Sequence, residues 1–345
     1  MRVSTLLLVA PAVMALLTAD FARGQDNSTV SLQVSSANVA VSSVAYRALG
    51  VIGSKNAAPS TVQTSAEPDA HSIPSISRPG FYPADVSNPG HVPAVFTTKH
   101  HPIYVDNVPA HWGDVPGFLT NLGKSEFIHL LDQYIGSSAN NRYTLGTQFI
   151  APNYPIPANH TLLIQDIFNL VYAGASLRGN GFGHIYHVFL PKGVDMCLGT
   201  AANPQCYSPD NPNTFFFCAF HGSVTFGGSV GHVLFSVEPY QDVDGCSVPP
   251  HGTANNQLID STDNVLSHEV FEALSDPDGN SWWVQAFTFA FGNEIGDLCV
   301  RSVQIGNNFY WGFGQVDLNG HPYTIQPEYS NQFHGCAYGP ASPPE

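Results

Sequence analysis

Ionisable side chains recur along one segment of this chain at the spacing of a helix face. His268, Glu272 and Asp276 follow one another at steps of four residues within the sequence SHEVFEALSDP. Residues four apart lie above one another on an α-helix, so these side chains share one face, and Glu269 lies about 100° around the helix from it. Apolar residues flank this stripe, which is not typical of a helix face that meets solvent. The pattern therefore indicates a helix that binds a ligand or carries out catalysis.

The pair His268 and Glu272 has the spacing of a metal-binding helix. In zinc hydrolases two ligands one helical turn apart hold the ion, and the glutamate after the first ligand activates the water bound to it. The second ligand is normally histidine, so the pattern here is HExxE rather than HExxH. A carboxylate can bind zinc, although it adds negative charge and weakens the Lewis acidity of the ion. We therefore predict a metal site, with zinc as the first candidate ion and calcium as the alternative.

A further acidic segment, NEIGD, begins 21 residues after Glu272. The two segments together resemble the thermolysin-like (gluzincin) metallopeptidases, in which a later helix supplies an Asn-Glu pair with a supporting aspartate. The resemblance covers about 30 residues and departs from the family at Glu272 and in the glycine around position 296, which suits a helix interior poorly. It implies a secreted metal-dependent hydrolase that acts on peptides. By that resemblance the metal ligands are His268, Glu272 and Glu294, the general base is Glu269, and Asp276 and Asp297 hold the ligands in orientation.

A second resemblance covers more of the chain, from about residue 95 to residue 340. The order of segments is similar to that of the secreted phosphate-induced, EXORDIUM-type family, which is associated with the extracellular space and plant cell-wall growth. The segments are HIYHVFLP, FCAFHG, a strand ending in EPY, a helix ending in DP, and YTIQPEYSN followed by a cysteine. This resemblance implies a non-catalytic extracellular or wall-associated protein whose HExxE site is structural or vestigial. In a related interpretation, His268 caps buried polar groups while the acids bind Ca²⁺ or accept hydrogen bonds from loops.

Three other histidines, His184, His187 and His221, lie in or beside predicted strands. They are candidates for donating hydrogen bonds to a developing oxyanion. The simpler interpretation is that each is a buried, hydrogen-bonded histidine, and that interpretation is preferred for all three.

The first 24 residues have the order of an export signal. Arg2 precedes an apolar run over residues 6–17, and Ala22 and Gly24 occupy the −3 and −1 positions of a cleavage site. The apolar run is shorter than the ~20 residues that a membrane-spanning helix needs. No later stretch is long and apolar enough to span a membrane, so we predict a secreted, extracellular protein.

Cysteine count and net charge agree with export. An even number of cysteines in an exported chain favours disulfides over free thiols, although six cysteines allow fifteen pairings. Proximity along the chain favours 197–206, 218–246 and 299–336. A net charge of −15 argues against nucleic acid or anionic lipid as partners. In a eukaryotic host Asn27 and Asn159 would be glycosylation sites. The six candidates for disulfides are Cys197, Cys206, Cys218, Cys246, Cys299 and Cys336.

Composition divides the chain into three parts. Residues 1–24 are the signal, residues 25–95 are a low-complexity linker or propeptide rich in Ser, Ala, Val and Pro, and residues 96–345 are a globular domain. Within the domain, apolar spacing predicts an α+β fold in which a twisted mixed sheet packs against helices, one of them the zincin-like helix. The predicted helices cover 117–135, 161–172 and 260–274, and the predicted strands cover 100–105, 185–190, 215–220 and 233–237.

Overall fold

The computed structural model describes residues 29–34, 38–50, 85–106, 108–200, 203–250, 255–284, 293–305 and 308–340. The predicted signal peptide and Asn27 lie outside the described residues. The helices are α1 (Val115–Leu122), α2 (Asp132–Ile135), α3 (Ile164–Arg178) and α4 (Gln257–Ser275), with 3₁₀ turns at Pro109–Trp112, Phe127–Leu131 and Asp297–Cys299. The strands are β1 (Thr29–Ser31), β2 (Val41–Gly50), β3 (Thr98–Tyr104), β4 (Tyr143–Leu145), β5 (Gln148–Ile150), β6 (Thr161–Leu163), β7 (Gly181–Phe189), β8 (Asp195–Thr200), β9 (Asn203–Tyr207), β10 (Phe217–Phe226), β11 (His232–Glu238), β12 (Ser302–Ile305), β13 (Asn308–Trp311), β14 (Gly314–Leu318), β15 (His321–Ile325), β16 (Glu328–Ser330) and β17 (Gly335–Ala337).

Eight strands form one mixed sheet in the order β1-β5-β3-β7-β11-β10-β2, with β4 also paired to β3. The strands from β1 to β11 in this order are parallel to their neighbours, whereas β10 is antiparallel to both β11 and β2. Three short hairpins and the three-stranded sheet β6-β8-β9 complete the strands. The predicted α+β class with a mixed sheet and helices is confirmed.

Helices cover both faces of the sheet. Side chains alternate between these two faces along each strand. On β11, Phe235 packs against Phe168 of α3 in one hydrophobic core. Its neighbour Leu234 points to the other face and shares a second core with Leu266 and Val270 of α4. Polar groups on this second face of the sheet therefore lie under α4.

The two predicted helices before β7 differ from the structure at their ends. The segment 117–135 is broken after Leu122, where the Ser125 hydroxyl donates to the Leu122 carbonyl and the chain continues as a 3₁₀ turn and the short α2. A serine that bonds to nearby backbone competes with helical hydrogen bonding. Residues 161–163 form β6 and α3 starts at Ile164, since the Asp166 carboxylate accepts from the Leu163 N–H and caps the helix there.

Part of the segment predicted to be a linker belongs to the central sheet. Strand β1 pairs with β5, and β2 pairs with β10 along its whole length. The two strands approach closely at Gly222, where an added Cβ would lie 2.1 Å from the Ala45 carbonyl oxygen. Residues 29–31 and 41–50 of the predicted linker or propeptide are therefore strands of the central sheet, and residues 51–84 lie outside the described residues.

The three disulfides have the pairing that sequence proximity favoured. Bonds join Cys197 to Cys206, Cys218 to Cys246, and Cys299 to Cys336. These bonds are compatible with an extracellular protein. Among the described residues, no helix combines the length and the apolar character that crossing a bilayer requires.

Candidate metal centre

Helix α4 carries the predicted HExxE residues and is buried almost throughout. The Asn256 side chain accepts from the Ile259 N–H at 3.0 Å and caps the N-terminus. Every residue from Asp260 to Ser275 is buried, because α4 packs between the sheet and the β14-β15 hairpin. The ionisable stripe therefore faces protein rather than solvent.

The sheet presents a row of polar side chains to this face of α4. Arg47 on β2, His221 on β10, Ser236 on β11 and His187 on β7 are direct cross-strand neighbours. Neighbours in adjacent strands point to the same face, so this row crosses four strands at one level. It brings two cationic or ligating side chains, those of Arg47 and His221, to the acidic residues of α4.

The NEIGD segment forms a turn and a 3₁₀ helix instead of the α-helix that the gluzincin resemblance implies. The Asp297 N–H donates to Glu272 Oε1 at 3.0 Å, and the Glu294 N–H donates to Asp297 Oδ2 at 3.1 Å. An added Cβ at Gly296 would lie 2.5 Å from His268 Nδ1, so a glycine is what lets this turn approach α4. The turn thus places two carboxyl groups against the helix.

His268, Glu272 and Asp297 form the first group of candidate ligands. The His268 Nε2 atom lies 3.1 Å from Glu272 Oε1 and 3.7 Å from Asp297 Oδ1. One ligand atom from each residue lies within 4.8 Å of the other two, and all three residues are buried. This spacing suits coordination of one ion by a nitrogen and two oxygens.

His221, Glu272 and Glu294 form a second group that meets the same criterion. The His221 Nδ1 atom lies 3.6 Å from Glu272 Oε2, and its Nε2 atom lies 3.5 Å from Glu294 Oε1. Glu272 belongs to both groups and turns a different oxygen towards each histidine.

Neither group is identical to the predicted ligand set of His268, Glu272 and Glu294. His268 and Glu272 lie together as predicted, but Asp297, predicted to orient the ligands, is grouped with them in place of Glu294. His221 is the buried, hydrogen-bonded histidine that was predicted, and it also lies beside Glu294. The Asp276 carboxylate accepts from the Ser281 N–H and pairs with Arg47 Nε at 3.3 Å, which agrees with a supporting position.

Glu269, the predicted general base, lies beside the second group. Its Oε2 atom is hydrogen-bonded to His221 Nδ1 at 3.2 Å, while Oε1 has no hydrogen-bond partner among the described residues. One oxygen is thus engaged and the other is available to a further donor, such as a water molecule.

Buried polar atoms without hydrogen-bond partners are concentrated at this site. Leaving a buried donor or acceptor unpaired costs about 1–3 kcal/mol, and more for a charged group, so an accumulation of them points to a missing ligand. Some of these atoms lie within 4 Å of an oppositely charged or histidine side chain, for example His268 Nε2 beside Glu272 and Asp276 Oδ2 beside Arg47. Among the described residues the atoms at the site without a hydrogen-bond partner are Arg47 Nε, His221 Nε2, His268 Nδ1 and Nε2, Glu269 Oε1, Glu294 Oε1 and Oε2, Asp297 Oδ1 and Asp276 Oδ2.

Burial governs the protonation of the acidic groups. It raises the pKa of Glu269, Glu294 and Asp297 well above their usual range, and the charge of Glu272 raises all three further. Burial alone would also raise the pKa of Glu272, but the charges of His268 and His221 and the Asp297 N–H lower it. The cluster is therefore short of positive charge, which a bound cation would supply.

For the two histidines of the site, burial and the neighbouring carboxylates have opposite effects on the pKa. Burial alone would lower the pKa of His221 and His268, but the hydrogen bond and charge of Glu269 raise the pKa of His221. The charge of Glu272, whose Oε1 atom lies 3.1 Å from Nε2, raises the pKa of His268. A metal ion would displace these protons, because only neutral imidazole binds a metal.

His187 points to the same sheet face as His221 and is held by hydrogen bonds. It is bonded to His100 at 2.8 Å and to Ser236 Oγ at 2.8 Å, and the Ser236 hydroxyl donates to Glu238 Oε1 at 2.7 Å. His187 is thus the buried, hydrogen-bonded histidine that was predicted.

His184 points to the opposite face of the sheet, because it lies three residues before His187 on β7 and side chains alternate along a strand. It is hydrogen-bonded to His101 at 3.0 Å, as predicted, but it is only partly buried.

The glycosylation candidate Asn159 lies in an exposed turn, where its side chain accepts from the Thr161 N–H at 3.4 Å.

Comparison of the chain with models of protein families, with curated proteins and with solved structures found no match.

Proposed function

We propose that this protein is a secreted metal-dependent hydrolase that cleaves peptides with a metal-activated water. The observation that carries the proposal is the buried group of His268, Glu272 and Asp297, whose ligand atoms converge within 4.8 Å. Neither nitrogen of His268 makes a hydrogen bond of good geometry to a described residue, although Nε2 lies 3.1 Å from Glu272 Oε1. A nitrogen and two carboxylate oxygens are a donor set that zinc accepts. The predicted export signal and the three disulfides support an extracellular place of action.

The side chains divide the chemistry between them. When bound, the ion supplies Lewis acidity and lowers the pKa of a coordinated water. Glu269 takes the proton from that water through Oε1, the oxygen that is not engaged by His221. Burial raises the pKa of Glu269, which suits the later return of the proton to a leaving amine, while the charge of a bound cation would favour the ionised form that accepts the proton.

One observation favours a second function, a structural metal site in a non-catalytic extracellular or wall-associated protein. The side chains of His268, Glu269 and Glu272 are at most 2 % exposed, as expected of a site that holds the fold together. In this case the ion would stabilise the packing of α4 against the sheet and the turn, and Glu269 would serve only to orient His221.

Substitution of Glu269 separates the two functions. In the hydrolase, Glu269→Gln keeps the metal and loses hydrolysis of a quenched fluorescent peptide library, because an amide cannot take a proton from water. The control is Glu126→Gln, at an exposed position outside the cluster. Chelator-sensitive hydrolysis in the wild type that persists in Glu269→Gln, or no hydrolysis in a metal-loaded wild type, contradicts the hydrolase proposal.

A further inference from the structure

We propose that the site holds two divalent metal ions bridged by the carboxylate of Glu272, an inference that rests on the metal binding of the proposed function. One ion lies among His268, Glu272 and Asp297. The other lies among His221, Glu272 and Glu294.

The Glu272 carboxylate is oriented between the two groups of candidate ligands. Its Oε1 atom is 3.1 Å from His268 Nε2, and its Oε2 atom faces the His221 ring, 3.6 Å from Nδ1. The other ring nitrogen, Nε2, lies 3.5 Å from Glu294 Oε1 and is the atom available to a metal. A carboxylate that turns one oxygen to each of two ligand groups has the geometry of a bridge between two ions. Two-metal hydrolases hold their ions about 3.5–4 Å apart in this way.

The second group has ligand atoms of its own, independent of the first. His221 Nε2 and both carboxylate oxygens of Glu294 are buried without a hydrogen-bond partner among the described residues, and Arg47 Nε lies 3.5 Å from Glu294 Oε2. Glu269 engages His221 Nδ1, so with Nδ1 as the donor the neutral ring keeps its lone pair on Nε2. A carboxylate that holds one histidine nitrogen while the other binds a metal is the usual support of a metal-bound histidine.

The competing arrangement is a single ion bound by both histidines and Glu272. It leaves Asp297 and Glu294 as supporting residues, and it predicts one metal per chain that is lost when either histidine is removed. The two-ion arrangement predicts instead that each histidine controls one ion.

The test is the zinc stoichiometry of the full-length chain, measured by native mass spectrometry and elemental analysis after saturation with Zn²⁺ and removal of excess. We expect two zinc ions in the wild type and one in each of His221→Ala and His268→Ala. The control is His334→Ala, whose side chain is 74 % exposed, and it should keep two. If His221→Ala does not fold, Glu294→Gln tests the same ion with an isosteric change and should also retain one.

Loading with Mn²⁺ gives a second readout. Two bridged Mn²⁺ ions produce an exchange-coupled electron paramagnetic resonance spectrum, and a single ion gives six hyperfine lines. Saturation at one ion per chain with a six-line spectrum overturns the two-ion inference and leaves the hydrolase standing. No bound ion overturns both, and two bound ions without hydrolysis overturn only the hydrolase.

Discussion

At the scale of single residues, Glu272 connects the two groups of candidate ligands. Glu272→Gln replaces one of its two oxygens by an amide nitrogen that cannot bind a metal, and removes the charge. We expect the affinity for Zn²⁺, measured by competition with a chromophoric chelator, to fall at least about 100-fold, beyond what a supporting residue costs. Unchanged affinity, with Glu126→Gln as the control, would show that Glu272 is not a ligand.

Asp276 and Asp297 should differ although both belong to the same acidic cluster. Asp276 is occupied by the Ser281 N–H and by Arg47, so Asp276→Asn should weaken zinc binding about 10–100-fold, as loss of a supporting contact does. Asp297 turns an unpaired oxygen towards His268, so Asp297→Asn should weaken it more. The same chelator competition measures both, and the reverse order would assign Asp297 to a supporting role.

The residues of the helix could be predicted from the sequence because their spacing is local. Steps of four place His268, Glu272 and Asp276 on one face whatever the rest of the fold. His221 could not be assigned as a ligand in this way, because its distance from α4 depends on the register of β10 in the sheet. The only indication in the sequence was that His221 follows the apolar run FCAF, and this position is also typical of a buried histidine.

At the scale of elements, the pairing of β2 with β10 can be tested at Gly222. An added Cβ there would meet the backbone of Ala45 and Tyr46 at 2.1 and 2.7 Å, which cannot move as a flexible side chain can. Gly222→Ala should lower the free energy of unfolding by about 1–3 kcal/mol, the usual cost of overpacking. In urea denaturation, Gly227→Ala is the matched control, since its Cβ meets nothing within 4 Å. Equal effects of the two substitutions would mean that β2 is not held against β10.

The disulfide between Cys299 and Cys336 supports the turn that carries the site. Replacing both cysteines by serine should weaken zinc binding as well as stability, because the bond ties the end of the 293–299 turn to β17. Replacing Cys197 and Cys206 should cost stability alone, since that bond joins β8 to β9. Removing a native disulfide typically costs about 2–5 kcal/mol. If both pairs affect zinc affinity equally, the first disulfide has no specific part in the site.

Elements with a clear apolar run or helical spacing could be predicted from the sequence. Elements whose conformation depends on hydrogen bonds to distant segments could not. Strands β3, β7, β10 and β11 and helix α4 follow from apolar runs and helical spacing. Strand β2 did not, because its sequence VSSVAYRALG is small and polar and its hydrogen bonds to β10 hold it in the sheet. The turn around Glu294 was expected to be helical by resemblance, and its path is determined instead by hydrogen bonds to α4 and by the space that Gly296 leaves.

At the scale of the whole molecule, buried neutral histidines should make the fold sensitive to acid. Burial lowers the pKa of His100 to about 4 and that of His187 well below its usual value, and the pair faces Tyr143 and, through Ser236, Glu238. At these two histidines the unfolded chain binds protons first as pH falls below about 6.5, so their contribution to stability decreases between pH 6.5 and 4.

For His100 alone this loss reaches roughly 3 kcal/mol by pH 4. Urea denaturation at pH 7 and pH 4.5 should show a smaller acid loss for His100→Asn than for the wild type. The exposed His334→Asn should behave as the wild type does. A loss that is identical in His100→Asn would mean that His100 is not buried in its neutral form.

Whether α4, the sheet and the turn converge on an ion is a property of the complete fold, and anomalous diffraction at the zinc absorption edge from crystals grown with Zn²⁺ tests it most directly. We predict an anomalous peak about 2.0–2.2 Å from His268 Nε2 and from oxygens of Glu272 and Asp297. Crystals without such a peak, in which these three side chains bond only to one another, would contradict metal binding and with it the proposed hydrolase.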